Sequence, residues 1–181
     1  MIILSLNVQG LGGLAKQKGL RHLFSSLLLD IILLQETMNS TYPALLAFSK
    51  LCLGWELCAT NSSGLSRGIL SKWNPHFVKC KAFHTFAGIL LKAWFRGSTT
   101  TLSILNFYGP YLHQETFWNS VARGGLLSLP KLILAGDLNL TLNGSEIWGP
   151  KAIPDPLGPF FTNFFLEHHL ADIAPTCAGP T

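Results

Sequence analysis

Short apolar stretches that end in a polar residue recur along the chain and predict buried strands. Four stretches have this form, namely "IILSLN" (2–7), "DIILLQET" (30–37), "TLSILNFYGP" (101–110) and "KLILAGDLN" (131–139). Between the first two, apolar residues recur at the spacing of one helix face, at Leu20, Leu23, Phe24, Leu27 and Leu28. The opening therefore predicts a strand, helix, strand unit of the α/β type.

The middle of the chain changes character and predicts an antiparallel meander. Its segments are short and rich in aromatic and β-branched residues, and they read "GWELCAT", "RGILSKW", "FVKCKAFHTF" and "GILLKAWF". Turn clusters such as "TNSSGLS" and "WNP" separate these segments. Two further helices are predicted, around residues 115–127 and over "PFFTNFFLEHHL" (159–170).

The four strand ends carry the candidate functional residues, which are Asn7, Glu36, Tyr108, Asp137 and Asn139. If these strands are neighbours in one sheet, their ends converge on a single mouth. Strand alternation would point Asp137 and Asn139 to the same face. Carboxylate and amide oxygens suit a hard cation such as Mg²⁺, whereas zinc prefers cysteine and histidine.

Composition limits the class of protein. The chain has 181 residues, 48% hydrophobic and 12% charged, which excludes disorder and predicts one domain over residues 1–181. Its net charge of +4 permits a polyanionic partner without requiring one. Four cysteines form no CxxC pair, which favours free or buried thiols in a reducing compartment. We expect no secretory leader and no membrane span.

The motifs also resemble a known family. The ordered set "LSLNVQGLG", "DIILLQET", "ILNFYGPY" and "LILAGDLN" resembles the endonuclease/exonuclease/phosphatase superfamily. "NVQGLGG" with "LLQETM" is similar, in particular, to the endonuclease domain of plant LINE-type (non-LTR) retrotransposons. The resemblance runs over essentially the whole chain. It implies an α/β two-sheet sandwich flanked by helices (DNase I-like), and a nuclear or cytoplasmic monomer that nicks DNA.

The resemblance also implies a role for each strand-end residue. Glu36 would be the principal ligand of Mg²⁺, or of Mn²⁺ in its place, and Asn7 would position the metal or the scissile phosphate. Tyr108 would contact the phosphate, Asp137 would orient or deprotonate the attacking water, and Asn139 would stabilise charge on the phosphate. Phosphodiester hydrolysis needs such a Lewis acid and base.

The chain also departs from the family pattern. Relatives continue to a further strand and a terminal "SDH" motif, whereas this chain stops at Thr181, so we expect a sandwich that is incomplete at its C-terminus. His168, His169 and Asp172 fall in the predicted last helix and are poor substitutes for that motif. Gln9 stands where repair-type relatives carry an acid. Arg67 stands where relatives more often have a glycine pair.

Several alternatives remain open. The chain could be a non-catalytic remnant or a nucleic-acid-binding fragment, and a phosphatase acting on a small ester would use the same metal site. "GLSRG" (64–68) satisfies G-x-S-x-G, with Ser66, Asp137 and a later histidine in the order of an α/β-hydrolase, but that motif must lead into a helix. Trp148, in the loop after "GDLN", is the aromatic residue expected to contact DNA.

Overall fold

Eight strands form two four-stranded sheets in the computed structural model, which describes residues 1–11, 13–38, 49–60, 68–142 and 155–173. The strands are β1 (Ile3–Asn7), β2 (Ile31–Gln35), β3 (Glu56–Thr60), β4 (Ile69–Trp73), β5 (Val78–His84), β6 (Gly88–Phe95), β7 (Thr101–Tyr108) and β8 (Leu132–Asp137). The first sheet has the order β1-β2-β4-β3 and the second the order β5-β6-β7-β8. This is the expected α/β two-sheet sandwich.

Each sheet contains one parallel pair of strands. β1 runs parallel to β2 with Asn7 opposite Gln35, and β7 runs parallel to β8 with Tyr108 opposite Asp137. The remaining pairings are antiparallel. Because the carboxyl ends of parallel strands meet at one edge, each sheet presents two polar strand ends side by side.

The predicted single meander is wrong, because the chain changes sheets after β4. β3 and β4 pair in the first sheet, whereas β5, β6 and β7 form a meander in the second. β4 already has β2 on one side and β3 on the other, so it offers no free edge to the next strand. The four polar strand ends therefore belong to two sheets, so the condition that all four strands are neighbours in one sheet is not met.

β2 is apolar on both sides because both of its faces are covered. Ile31 and Leu33 face the second sheet, and Ile32 and Leu34 pack towards the helix α1 (Leu14–Ser26), all without solvent exposure. This burial explains why the second strand reads as an uninterrupted hydrophobic run.

A buried polar network crosses the core between the sheets. Gln35 Nε2 donates to Asn106 Oδ1 at 2.7 Å and to Ser5 Oγ at 3.2 Å. Asn106 Nδ2 in turn donates to the Leu70 carbonyl at 2.9 Å and to Ser71 Oγ at 3.1 Å. These bonds join β7 of one sheet to β2 and β4 of the other.

A second compact unit comprises Tyr111–Ser128 and Leu138–Thr181. Its described helices are α2 (Gln114–Arg123), the 3₁₀ turn Leu126–Ser128 and α3 (Gly158–Glu167). Trp118 contacts Phe161 and Phe164 edge-on, with ring centres 5.8 and 6.0 Å apart. No helix in the described part of the chain combines the length and apolar character needed to cross a bilayer.

Replacing Asn106 with alanine tests the importance of the network. We expect Asn106→Ala to lower the free energy of unfolding by about 3 kcal/mol or more, because each buried polar group left without a partner costs about 1–3 kcal/mol. Ser5→Ala is the control and should cost less than about 1 kcal/mol, because Gln35 keeps its bond to Asn106. Urea unfolding measures both, and equal losses would contradict the central position of Asn106.

The Cys80 thiol provides a test of core burial. Burial, with a smaller contribution from the Glu56 carboxylate, raises the pKa of Cys80 from 9.0 to about 12. The folded state therefore keeps this proton while the unfolded state loses it, so stability present below pH 9 should fall as the pH rises towards 12.

We expect iodoacetamide, which reacts with thiolates, to label Cys80 slowly in the native chain at pH 8.5 and rapidly in urea. Mass spectrometry of the digested chain measures the rate at this cysteine. Equal labelling rates in the two states would show that the thiol is not protected.

Candidate functional site

Two hydrogen-bonded pairs join the polar strand ends across the two sheets. Asn7 Nδ2 donates to Asp137 Oδ2 at 2.6 Å, which connects the end of β1 to the end of β8. The Tyr108 hydroxyl donates to Glu36 Oε1 at 2.5 Å, which connects the end of β7 to the residue that follows β2. Four of the five candidate residues are therefore brought to one edge of the sandwich.

Glu36 reaches this edge because the backbone leaves the strand conformation. Ile31, Leu33 and Gln35 face the second sheet, so regular alternation would point Glu36 to the opposite side. Instead its φ is 51°, in the left-handed region, and its side chain meets Tyr108 between the sheets. Glu36 is only 3% exposed, so its carboxylate is held in a largely desolvated position.

The segment after β1 is fixed by hydrogen bonds to its main-chain groups. Gly10 N–H donates to the Glu36 carbonyl at 2.6 Å, and Gln9 N–H donates to Asn7 Oδ1 at 3.0 Å. Lys16 Nζ donates to the carbonyls of Val8 and Gln9 at 2.9 and 3.2 Å. Gln9 makes these contacts with its main chain, so they do not require an acid at this position.

Asp137 owes its position to the residue before it. A Cβ on Gly136 would lie 2.1 Å from the carbonyl oxygen of Phe107, so only glycine permits this approach of β8 to β7. The pairing continues past Tyr108, where Gly109 N–H donates to the Asp137 carbonyl at 2.7 Å. The "AGD" segment thus combines a close strand contact with the carboxylate that follows it.

The fifth candidate, Asn139, lies in the second unit. β8 ends at Asp137 and Asn139 has a φ of 54°, so the strand alternation that we expected to align these two side chains does not extend to Asn139. Within its own unit, the Asn139 carbonyl accepts a bond of 2.8 Å from Gln114 Nε2.

Other predicted features fall near or outside the described residues. His168, His169 and Asp172 follow α3, which ends at Glu167, so they are not inside the helix as we expected. Arg67, Ser66 and Trp148 lie outside the described residues. Residues 69–73, which follow "GLSRG", form the strand β4, and not the helix that a nucleophile elbow requires.

Sequence reasoning overlooked Gln35 and Asn106. Both are polar residues inside apolar strands, next to Glu36 and two residues before Tyr108. They are 1% and 0% exposed, and they bond directly to each other. A polar residue that breaks an apolar run is the signal that could have identified each of them, because buried polar groups require partners.

The donor chemistry of this edge fits a hard divalent cation. Glu36 and Asp137 supply carboxylate oxygens and Asn7 supplies an amide oxygen, which are ligands that Mg²⁺ accepts. The described residues contain no group of three histidine, cysteine or acidic side chains placed to hold a metal. Mg²⁺ is commonly bound through one or two carboxylates and keeps several water or substrate oxygens.

Solved structures show the same fold at low sequence identity. The endonuclease domain of TRAS1, a telomere-specific non-LTR retrotransposon, matches with a TM-score of 0.62 and 15% identity over 92% of this chain and 69% of that one. The AP endonuclease LMAP from Leishmania major matches with a TM-score of 0.65 and 18% identity, over 92% of this chain and 65% of that one. TDP2 from C. elegans matches with a TM-score of 0.55 and 22% identity, over 77% of this chain and 48% of that one.

This chain therefore spans between about half and about two thirds of those three structures. A comparison with curated proteins finds no match. The sequence model of the Endonuclease/Exonuclease/phosphatase family matches residues 4–176, which include all five candidate residues. By this match over nearly its whole length, the chain belongs to the Endonuclease/Exonuclease/phosphatase family.

Proposed function

We propose that the chain is a divalent-metal-dependent phosphodiester hydrolase that nicks DNA, and that it derives from a LINE-type retrotransposon. The observation that carries this proposal is that two carboxylates, Glu36 and Asp137, lie at the same edge of the sandwich. Each is bonded to a neutral partner from the facing sheet, Tyr108 and Asn7 respectively. Hydrolysis of a phosphodiester needs two such groups, one for a metal and one for water.

Glu36 is our candidate for the principal metal ligand. Its burial and its bond to Tyr108 hold the carboxylate in one orientation. A bound Mg²⁺ would supply Lewis acidity for the charge that develops on the phosphate and the leaving oxygen. Asn7 Oδ1, which accepts the Gln9 N–H, has a second lone pair that could complete the protein's share of the ligands.

Asp137 is our candidate for the group that orients or deprotonates the attacking water. The Asn7 amide holds Oδ2 at 2.6 Å, and a fixed carboxylate is what positioning a nucleophile requires. Asn7 therefore acts as a positioning residue for Asp137, in addition to any contact with the metal. Replacing Asp137 with asparagine would keep the shape of this pair but remove the carboxylate that acts as the base.

Tyr108 and Asn139 are our candidates for contacts with the phosphate. The single hydroxyl proton of Tyr108 is donated to Glu36, so a donated bond to a phosphate would require this proton to turn away from the carboxylate. Tyr108 thus couples substrate contact to the orientation of Glu36. The Asn139 side chain could donate N–H groups to phosphate oxygens, as an amide does in other oxyanion sites.

The proposed substrate is DNA and not a small phosphate ester. The motif set resembles retrotransposon endonucleases, and the similar folds include a retrotransposon endonuclease and an AP endonuclease. The net charge of +4 and pI of about 9.0 also favour a polyanion over a small substrate.

Nicking of a supercoiled plasmid in Mg²⁺ tests the proposal. We expect the chain to produce open circles, and EDTA to abolish this activity. Glu36→Gln and Asp137→Asn should each reduce the rate by about 10²–10⁴-fold, the range that one acid or base group commonly contributes. Agarose gel electrophoresis over time measures the rates.

Glu115→Gln is the matched control, because Glu115 is an exposed carboxylate on α2 and its change removes the same charge. It should leave the nicking rate unchanged. If the folded chain does not nick DNA, or if both site variants nick as well as the control, the catalytic proposal fails. The chain would then be the non-catalytic or nucleic-acid-binding alternative.

A further inference from the structure

The outer surface of β5 and β6 carries a group of lysine and aromatic side chains. Strand alternation turns Val78, Cys80 and Ala82 towards the core, so the residues between them point away from it. We define the lysine surface as the lysine and aromatic side chains among the outward residues of these two strands, which are Lys79, Lys81, Phe83, Lys92 and Trp94. Leu90, which also points outward opposite Phe83, is buried. Lys81 lies directly opposite Lys92, and Lys79 lies directly opposite Trp94.

The charges on this surface are of one sign. Asp137 is the sole acid in the described strands β5 to β8, and it faces the opposite side of the sheet. Lys81 and Lys92 are directly opposite each other, and like charges in this arrangement generally destabilise a strand pair. Among the described residues, neither of these ammonium groups forms an ion pair. Lys81 lies 5.2 Å from the Phe83 ring centre and Lys92 donates to Ser103 Oγ at 2.8 Å. An anion would relieve this repulsion.

Two aromatic side chains flank the lysine pair. Trp94 lies one row of the sheet to one side of it and Phe83 one row to the other, and each is 39% exposed. A basic surface interleaved with exposed aromatic rings is typical of sites that bind single strands, whose unpaired bases stack on the rings. Duplex DNA would offer phosphates to the lysines but no free base faces to the rings.

A role of the lysines in preventing β5 from pairing with other sheets explains fewer of these features. β5 is an edge strand, and lysines on edge strands prevent pairing with other sheets. That role requires no exposed aromatic neighbours. It also leaves Lys92 unexplained, because this residue lies on β6, which is paired on both sides.

We infer that the lysine surface binds single-stranded nucleic acid, with phosphates against Lys79, Lys81 and Lys92 and bases against Trp94 and Phe83. This site is separate from the carboxylate edge, by which we mean the edge of the sandwich that holds Glu36 and Asp137. Lys92 lies opposite Ser103, five residues before Tyr108, which corresponds to about 17 Å along β7. Ser103 and Tyr108 also lie on opposite faces of the sheet, so the inference does not depend on the proposed hydrolysis.

Binding of a fluorescein-labelled oligothymidylate, followed by anisotropy in EDTA, tests this inference without any contribution from a metal-dependent site. We expect Lys79→Gln combined with Lys81→Gln to weaken binding at least about tenfold. The slope of log K against log salt should become shallower by about 1.4, since each phosphate contact on a single strand contributes about 0.7. Trp94→Leu should weaken binding about fivefold or more through lost stacking.

The matched control is Lys18→Gln combined with Arg21→Gln, which removes two charges from exposed positions on α1. This variant should bind within about twofold of the unaltered chain. Thermal unfolding confirms that each variant is folded. If the control loses as much affinity as the lysine variant, net charge and not this surface is responsible, and the inference fails.

Comparison with a duplex of the same length tests the preference for single strands. Equal affinity for duplex and single strand, with no effect of Trp94→Leu, would overturn the inference. A chain that binds the oligonucleotide but does not nick plasmid would contradict the proposed function alone. A chain that nicks plasmid while the lysine variant binds normally would contradict this inference alone.

Discussion

Asn106 lies fully buried between the sheets, where it accepts a bond from Gln35 and donates to Leu70 and Ser71. A shift of β7 by one residue would turn this amide to the outer surface and bring Leu105 or Phe107 into its place. The shift would leave buried polar groups on β2 and β4 without partners, each costing about 1–3 kcal/mol. The network therefore sets how the two sheets align, which general hydrophobic packing specifies only weakly.

The alignment of the sheets determines the geometry of the site. Gln35 immediately precedes Glu36, and Asn106 precedes Tyr108 by two residues on the same face of β7. Once Gln35 and Asn106 are bonded, Tyr108 lies across from the end of β2. Only the left-handed turn at Glu36 is then needed to bring the carboxylate to the hydroxyl. A left-handed backbone conformation at a residue other than glycine costs about 1–3 kcal/mol. The hydrogen bond from Gly10 N–H to the Glu36 carbonyl helps to hold this conformation.

The sequence predicted the elements better than their pairing. Apolar runs with polar ends located β1, β2, β7 and β8 to within a few residues, because burial and the two-residue period are local properties. The two-sheet architecture was expected from the family resemblance, but the division of the middle strands between the sheets was missed. That division depends on which edges of β4 are occupied, and its neighbour β2 is distant in the chain.

The candidate site was predictable to a similar degree. Asn7, Tyr108 and Asp137 follow strand alternation, so their convergence could be anticipated from strand ends. The conformation of Glu36 could not, because a glutamate carries no signal for positive φ. The end of β8 at Asp137 could not be predicted either, since "LNL" (138–140) continues the apolar alternation past it.

The second sheet keeps opposite charges on opposite faces. Its inner face ends in the carboxylate edge, and its outer face carries the lysine surface, about 17 Å away along β7. This separation exceeds the Debye length of about 8 Å at physiological ionic strength, so Glu36 and Asp137 would repel a polyanion on the lysine surface only weakly.

Lys72 on β4 differs from the lysines of this surface. Its ammonium is buried against the carbonyls of Ser49 and Leu51, and burial lowers its pKa. A lysine whose donors are already satisfied inside the fold cannot serve a partner, whereas Lys79 and Lys81 remain exposed to one.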